Sequence, residues 1–225
     1  MEATTEIVVG LDARGRNVVR RMHCEAPLLV RVIDEPGGTL RLALVNGAAG
    51  PLGGDRLHFR LELEPGSRVA VCSVASAMVQ PGPRGDASEL QVDLLVAAEA
   101  SLDWSPQPTV SVVGSDHRSL VRLSTTGTST VTMCEGVALG RHDELPGRFE
   151  LRERVTIDGT AVLDHHTVFA PGALMGPGAH GSFRRLSTEV VIGGALPPSG
   201  TTVSEQCLHS TVHLAANCAL TVTRS

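Results

Sequence analysis

A chain of 225 residues is long enough to bury a core without disulfide or metal staples, and a net charge of -5 with no basic patch or basic helix argues against a nucleic-acid or anionic-membrane surface. One Trp, four Phe and no Tyr leave the core to Val, Leu, Ala and Met and all but remove the stacking platforms that single-stranded nucleic acid needs. Five scattered cysteines without a Cys-x-x-Cys read as reduced thiols, Glu2 and Glu6 are unlike a signal peptide, and no run approaches the ~20 apolar residues of a membrane span, so a cytoplasmic protein is expected.

In chain order, Thr4 to Val9 and Asn17 to His23 are β-prone runs separated by glycines. Pro27 opens a third run from Leu28 to Ile33, and Pro36-Gly37-Gly38 turns it into Thr39 to Val45, which is hairpin grammar. Pro51-Leu52-Gly53-Gly54-Asp55 then feeds Arg56 to Glu64, where polar and apolar residues alternate without a fault until Pro65-Gly66. Arg68 to Ser73 follows as a partner strand, and Ala75 to Val79 has the composition of a brief helical turn. Gln80 to Gly85 is a breaker cluster, so a division into subdomains would fall near 80–88 of an otherwise single domain spanning 1–225.

From there an apolar run, a small-residue turn and a second run recur: Leu90 to Trp104 about Ala97-Ala98, Leu120 to Cys134 about Thr126-Gly127, and Val155 to Phe169 about Asp158-Gly159. Weaker copies occupy Val190 to Gly193 and Val212 to Val222 with Asn217. A spacing of roughly thirty residues suits stacked units of a solenoid or a sandwich. Because the copies share a pattern but no identities, a plain meander of hairpins is the simpler expectation. Helix is scarce, with weak windows at Ala75 to Val79 and Gly178 to Leu186. The expected fold is all-β, with hairpin-rich stacked sheets, sandwich or solenoid-like, and one or two short helices.

Three acids fall in apolar parity. Asp55 aligns with Leu57, Phe59, Leu61 and Leu63; Glu135 with Val131, Met133 and Val137; Asp164, with His166, aligns with Val162 and Val168, although Leu163 and Phe169 make the other face a candidate. An inward carboxylate costs several kcal/mol unless it is paired, hydrogen-bonded, protonated or wet. Pairing with Arg56, Arg60, Arg141 or Arg154 is the simplest resolution. The alternative is a hydrated interior lined by oxygen ligands and His166, suited to transient contact with a divalent cation. An acid/base pair of Asp55 and Glu135 over a hydrolase pocket is a third reading.

Other constellations are weaker. Cys207, His209 and His213 share one strand parity, and His165 and His166 point to opposite faces. Gly178-Ala179-His180-Gly181-Ser182 places a His near a Ser without a nucleophile elbow, and no phosphate loop is present.

Taken together, Ala26-Pro27-Leu28, Gly53-Gly54-Asp55 with its alternating strand, Pro65-Gly66, Leu102-Asp103-Trp104-Ser105-Pro106-Gln107, Glu135 before Leu139-Gly140-Arg141, and Leu163-Asp164 resemble the urease accessory protein family UreD, also called UreH. The resemblance covers most of the chain and is to a short, diverged, actinobacterial type. It implies an all-β fold with a couple of helices, no catalytic activity and no stably bound cofactor. The implied partners are UreF, the GTPase UreG through UreF, and apo-urease. It further implies that acids matching Asp55, Glu135 and Asp164 line or approach an internal passage for transient Ni2+. Met78 and Gln80 stand where family members carry a Lys and a Tyr, and the last third, with its Gly- and Pro-rich Gly172 to Ser199, is short. A plain adaptor without metal contact is compatible with the same residues.

Overall fold

The computed structural model describes residues 1–34, 38–171, 183–204 and 207–225. Its regular elements are β1 (Glu2–Leu11), β2 (Asn17–Cys24), β3 (Leu28–Asp34), β4 (Leu40–Asn46), β5 (Arg56–Leu63), β6 (Arg68–Ser73), β7 (Met78–Val79), β8 (Ser88–Val96) and β9 (Ser101–Ser105). The second half adds β10 (Thr109–Ser111), β11 (Asp116–Thr125), β12 (Thr130–Leu139), β13 (Arg148–Ile157), β14 (Thr160–Phe169), β15 (Arg185–Ile192), β16 (Gly200–Val203), β17 (Leu208–Ala215) and β18 (Cys218–Arg224). Among the described residues there is no helix. Ala75 to Val79, expected as a helical turn, ends in the short strand β7, and of the other window Gly178–Ser182 lies outside the described residues while Arg185 and Leu186 begin β15.

The strands form two sheets. A seven-stranded sheet runs β14-β13-β11-β8-β5-β1-β2, and an eleven-stranded one runs β16-β17-β18-β15-β12-β9-β6-β4-β3, with β10 and β7 attached beside β12. The middle of each is parallel: β5, β8, β11 and β13 in the first, β4, β6, β9 and β12 in the second. Antiparallel pairs close the ends, β1 with β2 and β13 with β14 in the first sheet, β3 with β4 and β12 with β15 in the second.

This topology corrects the hairpin reading of the repeats. The arms β5 and β6 lie in different sheets, as do β8 and β9, and β11 and β12, so each copy is one coil that pairs in parallel with the next. The spacing is that of a solenoid. Each turn is closed by the same backbone bond, Ser67 to Glu64, Ala100 to Ala97 and Ser129 to Thr126, each 3.2 Å. The turns also stack: Ala97 donates to Leu63, Ser101 to Ser67, and Thr130 to Ala100. The third copy, Val155 to Phe169, is a true hairpin, as is β17 with β18 about Asn217.

Alternation along the coils puts Phe59, Leu61, Val92, Leu94, Val121 and Leu151 of the first sheet against Val71, Leu102, Trp104, Val131 and Met133 of the second, in one contiguous core. The single Trp meets Phe59 at 5.4 Å between ring centroids, joining the layers. Parallel sheets are ordinarily covered on both faces. Here the outer face of the first sheet carries ion pairs running across the strands, Arg56 with Glu89, Glu89 with Arg118, and Glu150 with both Arg118 and Arg148. Paired charges make that face compatible with water.

A cavity between the sheets and its carboxyl groups

Gly53 and Gly54 are required by the loop that crosses them. A Cβ on Gly53 would collide with the Gly82 backbone, and Gly54 has φ +92. The resulting tight entry delivers Asp55 to the start of β5, buried as its parity demands. Its carboxylate accepts from the Leu52 N–H at 2.9 Å and from the Met1 nitrogen at 2.8 Å. Asp55 therefore closes its own loop.

Asp164 does not point inward. On β14 the inner face is Leu163, His165, Thr167 and Phe169, while Asp164 and His166 face out. Asp164 accepts two 2.7 Å bonds from the fork of Arg152 and lies 3.3 Å from Arg154. The Arg152 bonds hold its carboxyl down at about 2. The parity of β14 is ambiguous in sequence, and a register shift in its pairing between Val155 and Thr156 decides it.

Glu135 is the acid that reaches the interior. A cavity of about 210 Å³ opens between the sheets, walled by Leu28, Leu44, Phe59, Phe149 and Leu151, with Gln107, Trp104 and Glu135 among its polar lining. Glu135 Oε1 accepts the Trp104 indole N–H at 2.7 Å. Burial pushes this carboxyl up to about 8; the indole bond pulls it back and the nearby Glu153 carboxylate adds to the rise. At neutral pH it is chiefly the protonated acid, which is how a carboxyl group resides in apolar walls without a cation beside it.

Glu153 is a further inward acid beyond the three that sequence parity singles out, and the same test finds it: in β13 it shares parity with Phe149, Leu151, Val155 and Ile157. It is fully buried. One oxygen accepts from the Thr188 hydroxyl at 2.7 Å and the other lies 3.0 Å from His165 Nδ1. His165, turned inward, links Glu153 to Thr167, 3.1 Å from its Nε2. Thr188, Glu153, His165 and Thr167 thus form a polar cluster, and the charge of Glu153 is felt at Glu135.

The structure does not bring the three sequence-read acids together. Asp55 is no part of the cavity lining, so it forms no acid/base pair with Glu135, and the hydrolase reading loses its site. His209 contacts the Thr223 hydroxyl at 2.9 Å, His213 donates to the Pro197 carbonyl at 2.8 Å, and Cys207 contacts Ser204, so these residues do not converge. Among the described residues no three His, Cys, Asp or Glu side chains cluster to hold a metal. His117 with Ser88, 2.8 Å apart, is buried against Phe149, and burial lowers the imidazole to about 4; it is a core pair without solvent access.

The urease accessory protein UreD of Streptomyces coelicolor is 31% identical over 211 residues, covering 92% of this chain and 83% of that protein. UreD of Streptomyces avermitilis is 33% identical over 195 residues, covering 85% and 77%. Urease accessory protein UreD 3 of Streptomyces griseus is 34% identical over 176 residues, covering 77% and 68%. A profile of the UreD urease accessory protein family matches residues 2–224, and the chain belongs to that family.

Proposed function

We propose that this chain is a non-catalytic urease maturation factor that bridges UreF, with UreG behind it, to apo-urease, and that Ni2+ as cargo passes between its two sheets by way of Glu135. The observation that carries the reading is the placement of Glu135 on the wall of an interior cavity, with Glu153 buried behind it. Nickel is borderline in softness and accepts carboxylate, imidazole and water oxygen or nitrogen. A single interior carboxyl with few neighbours binds such an ion weakly, and weak successive ligation is what a conducting path requires. Asp55 and Asp164 serve the frame in this reading, Asp55 by closing its loop and Asp164 by its Arg152 pair.

The test is co-expression of the urease structural subunits and remaining accessory proteins with this chain, without it, and with Glu135→Ala. Nickel content of purified urease is expected to fall sharply without the chain and with Glu135→Ala, and to be retained with Asp164→Ala. Full nickel loading with Glu135→Ala would sink the role given to that carboxyl.

A further inference from the structure

Trp104 and Glu135 sit on neighbouring parallel strands, with Trp104 opposite Met133 and Glu135 two residues further along β12. The indole is 2% exposed, held against Phe59 on the facing sheet and in register with Val71 of β6 on its other side. These neighbours pack the ring, and it also borders the cavity. Its N–H donates to Glu135 Oε1 at 2.7 Å, while among the described residues no hydrogen bond reaches Oε2.

Resting on the passage proposed above, we infer that Trp104 sets the strength of cation binding in the cavity by holding one oxygen of Glu135 and leaving the other as a single-oxygen ligand. The residue type fits the task. An indole donates and cannot accept, so it offers a cation no ligand of its own. It is neutral, so unlike Arg or Lys it does not repel the ion or cancel the charge that Glu135 carries once the arriving cation has displaced its proton to solvent. An Asn, Gln or Ser at the same place could turn an oxygen toward the ion and tighten the site. Carboxylates bind divalent ions through one oxygen or two, and an indole N–H held on one lone pair of Oε1 disfavours the tighter two-oxygen mode. The result is a binding step matched to cargo that must leave.

The experiment titrates the purified chain with NiCl2 alone, by calorimetry, in wild type, Trp104→Phe, Glu135→Gln and the double variant. Trp104→Phe keeps an aromatic ring and frees Oε1 but also removes the bond that favours ionisation of Glu135, so the titrations are run at several pH values to separate proton displacement from binding. The affinity for the deprotonated carboxylate is expected to rise about tenfold, the worth of one hydrogen bond to a charged group. Glu135→Gln is expected to abolish that component of binding in both backgrounds. Equal, Glu135-dependent affinities in wild type and Trp104→Phe would overturn the role of Trp104 while leaving the passage standing. Absence of Glu135-dependent binding in every variant would take both down.

Because Trp104→Phe opens space in the core, a measurement on the unaltered chain accompanies it. The single Trp gives a single indole N–H resonance. On addition of Zn2+, a closed-shell stand-in, that resonance is expected to move while its N–H stays protected from solvent exchange. Loss of protection on Zn2+ addition means that the ion has taken both oxygens, and the inference fails.

Discussion

His165 Nδ1 lies 3.0 Å from Glu153 Oε2 across the β13–β14 pair, and Thr188 of the opposite sheet donates to the other oxygen of the same carboxylate. One fully buried acid thus ties the two sheets to each other and to the closing hairpin. Breaking such a buried network from one side leaves its partners unsatisfied. Glu153→Ala is expected to cost about 3 kcal/mol and to lower the thermal midpoint by about 6–12 °C. Glu153→Gln, which preserves an acceptor for Thr188, is expected to cost less. Thermal unfolding followed by circular dichroism checks both, and a melt of Glu153→Ala superimposable on wild type would refute the tie.

The outer-face pair of Arg152 and Asp164 is the contrasting case. Its two bonds are well formed, but both side chains are partly in water, where Coulomb attraction is screened and side-chain entropy opposes it. Asp164→Asn is expected to leave the thermal midpoint close to wild type at 0.15 M salt, with any difference shrinking as salt is raised. A large loss that is insensitive to salt would contradict this placement.

Gly53 gives a third expectation. A methyl group there meets the Gly82 backbone, which cannot move aside as a flexible side chain does, whereas a methyl group at Gly85 meets nothing and bears only the strain of φ +72. Gly53→Ala is expected to destabilise by about 2–4 kcal/mol through the displaced loop, and Gly85→Ala by about 1–2 kcal/mol through the backbone alone. The order of the two midpoints in urea is the measurement, and equal midpoints would mean that the loops part without cost.

What was legible in the sequence follows from which interactions are local. The alternation from Arg56 to Leu63 is a property of one strand and its neighbouring solvent, so both the strand and the inward Asp55 could be read directly. The pairing of strands is not local. A coil whose arms join different sheets and a hairpin whose arms join each other present the same run, turn and run, and only the stacking of Ala97 on Leu63 and of Thr130 on Ala100 separates them. The face of Asp164 is ambiguous in sequence because β14 has apolar residues in both parities and its register slips once against β13. Glu153 is masked in sequence because it sits among alternating charges, Glu150, Arg152 and Arg154, that make the strand look merely solvated. Those neighbours lie on the outer face and Glu153 on the inner, a distinction that parity alone supplies. The bond from Trp104 to Glu135 lies beyond any local pattern, since it depends on β9 and β12 being adjacent.

The two most perturbed interior groups bound stability from opposite sides of neutrality. His117 is held near 4 by burial against an ordinary 6.5, so its folded-state value is depressed. The unfolded chain then takes up a proton first, and stability falls as pH drops from about 6.5 to about 4, by about 3 kcal/mol for this group. Glu135 is raised to about 8 from 4.5, chiefly by burial. Here the unfolded chain loses its proton first, so the native state loses stability as pH rises from about 4.5 to about 8, by at most about 5 kcal/mol. Glu135→Gln removes the titrating group while keeping an oxygen for the Trp104 N–H. Relative to wild type it is expected to gain thermal stability steadily from pH 5 to pH 8.5, with the two midpoints lying closest at the acid end. The acid limb, set by His117, is expected to be unchanged by that substitution. Midpoints that run parallel for the two proteins across this range would show that Glu135 is ionised in the folded chain, and that the interior carboxyl is wetter than its apolar walls imply.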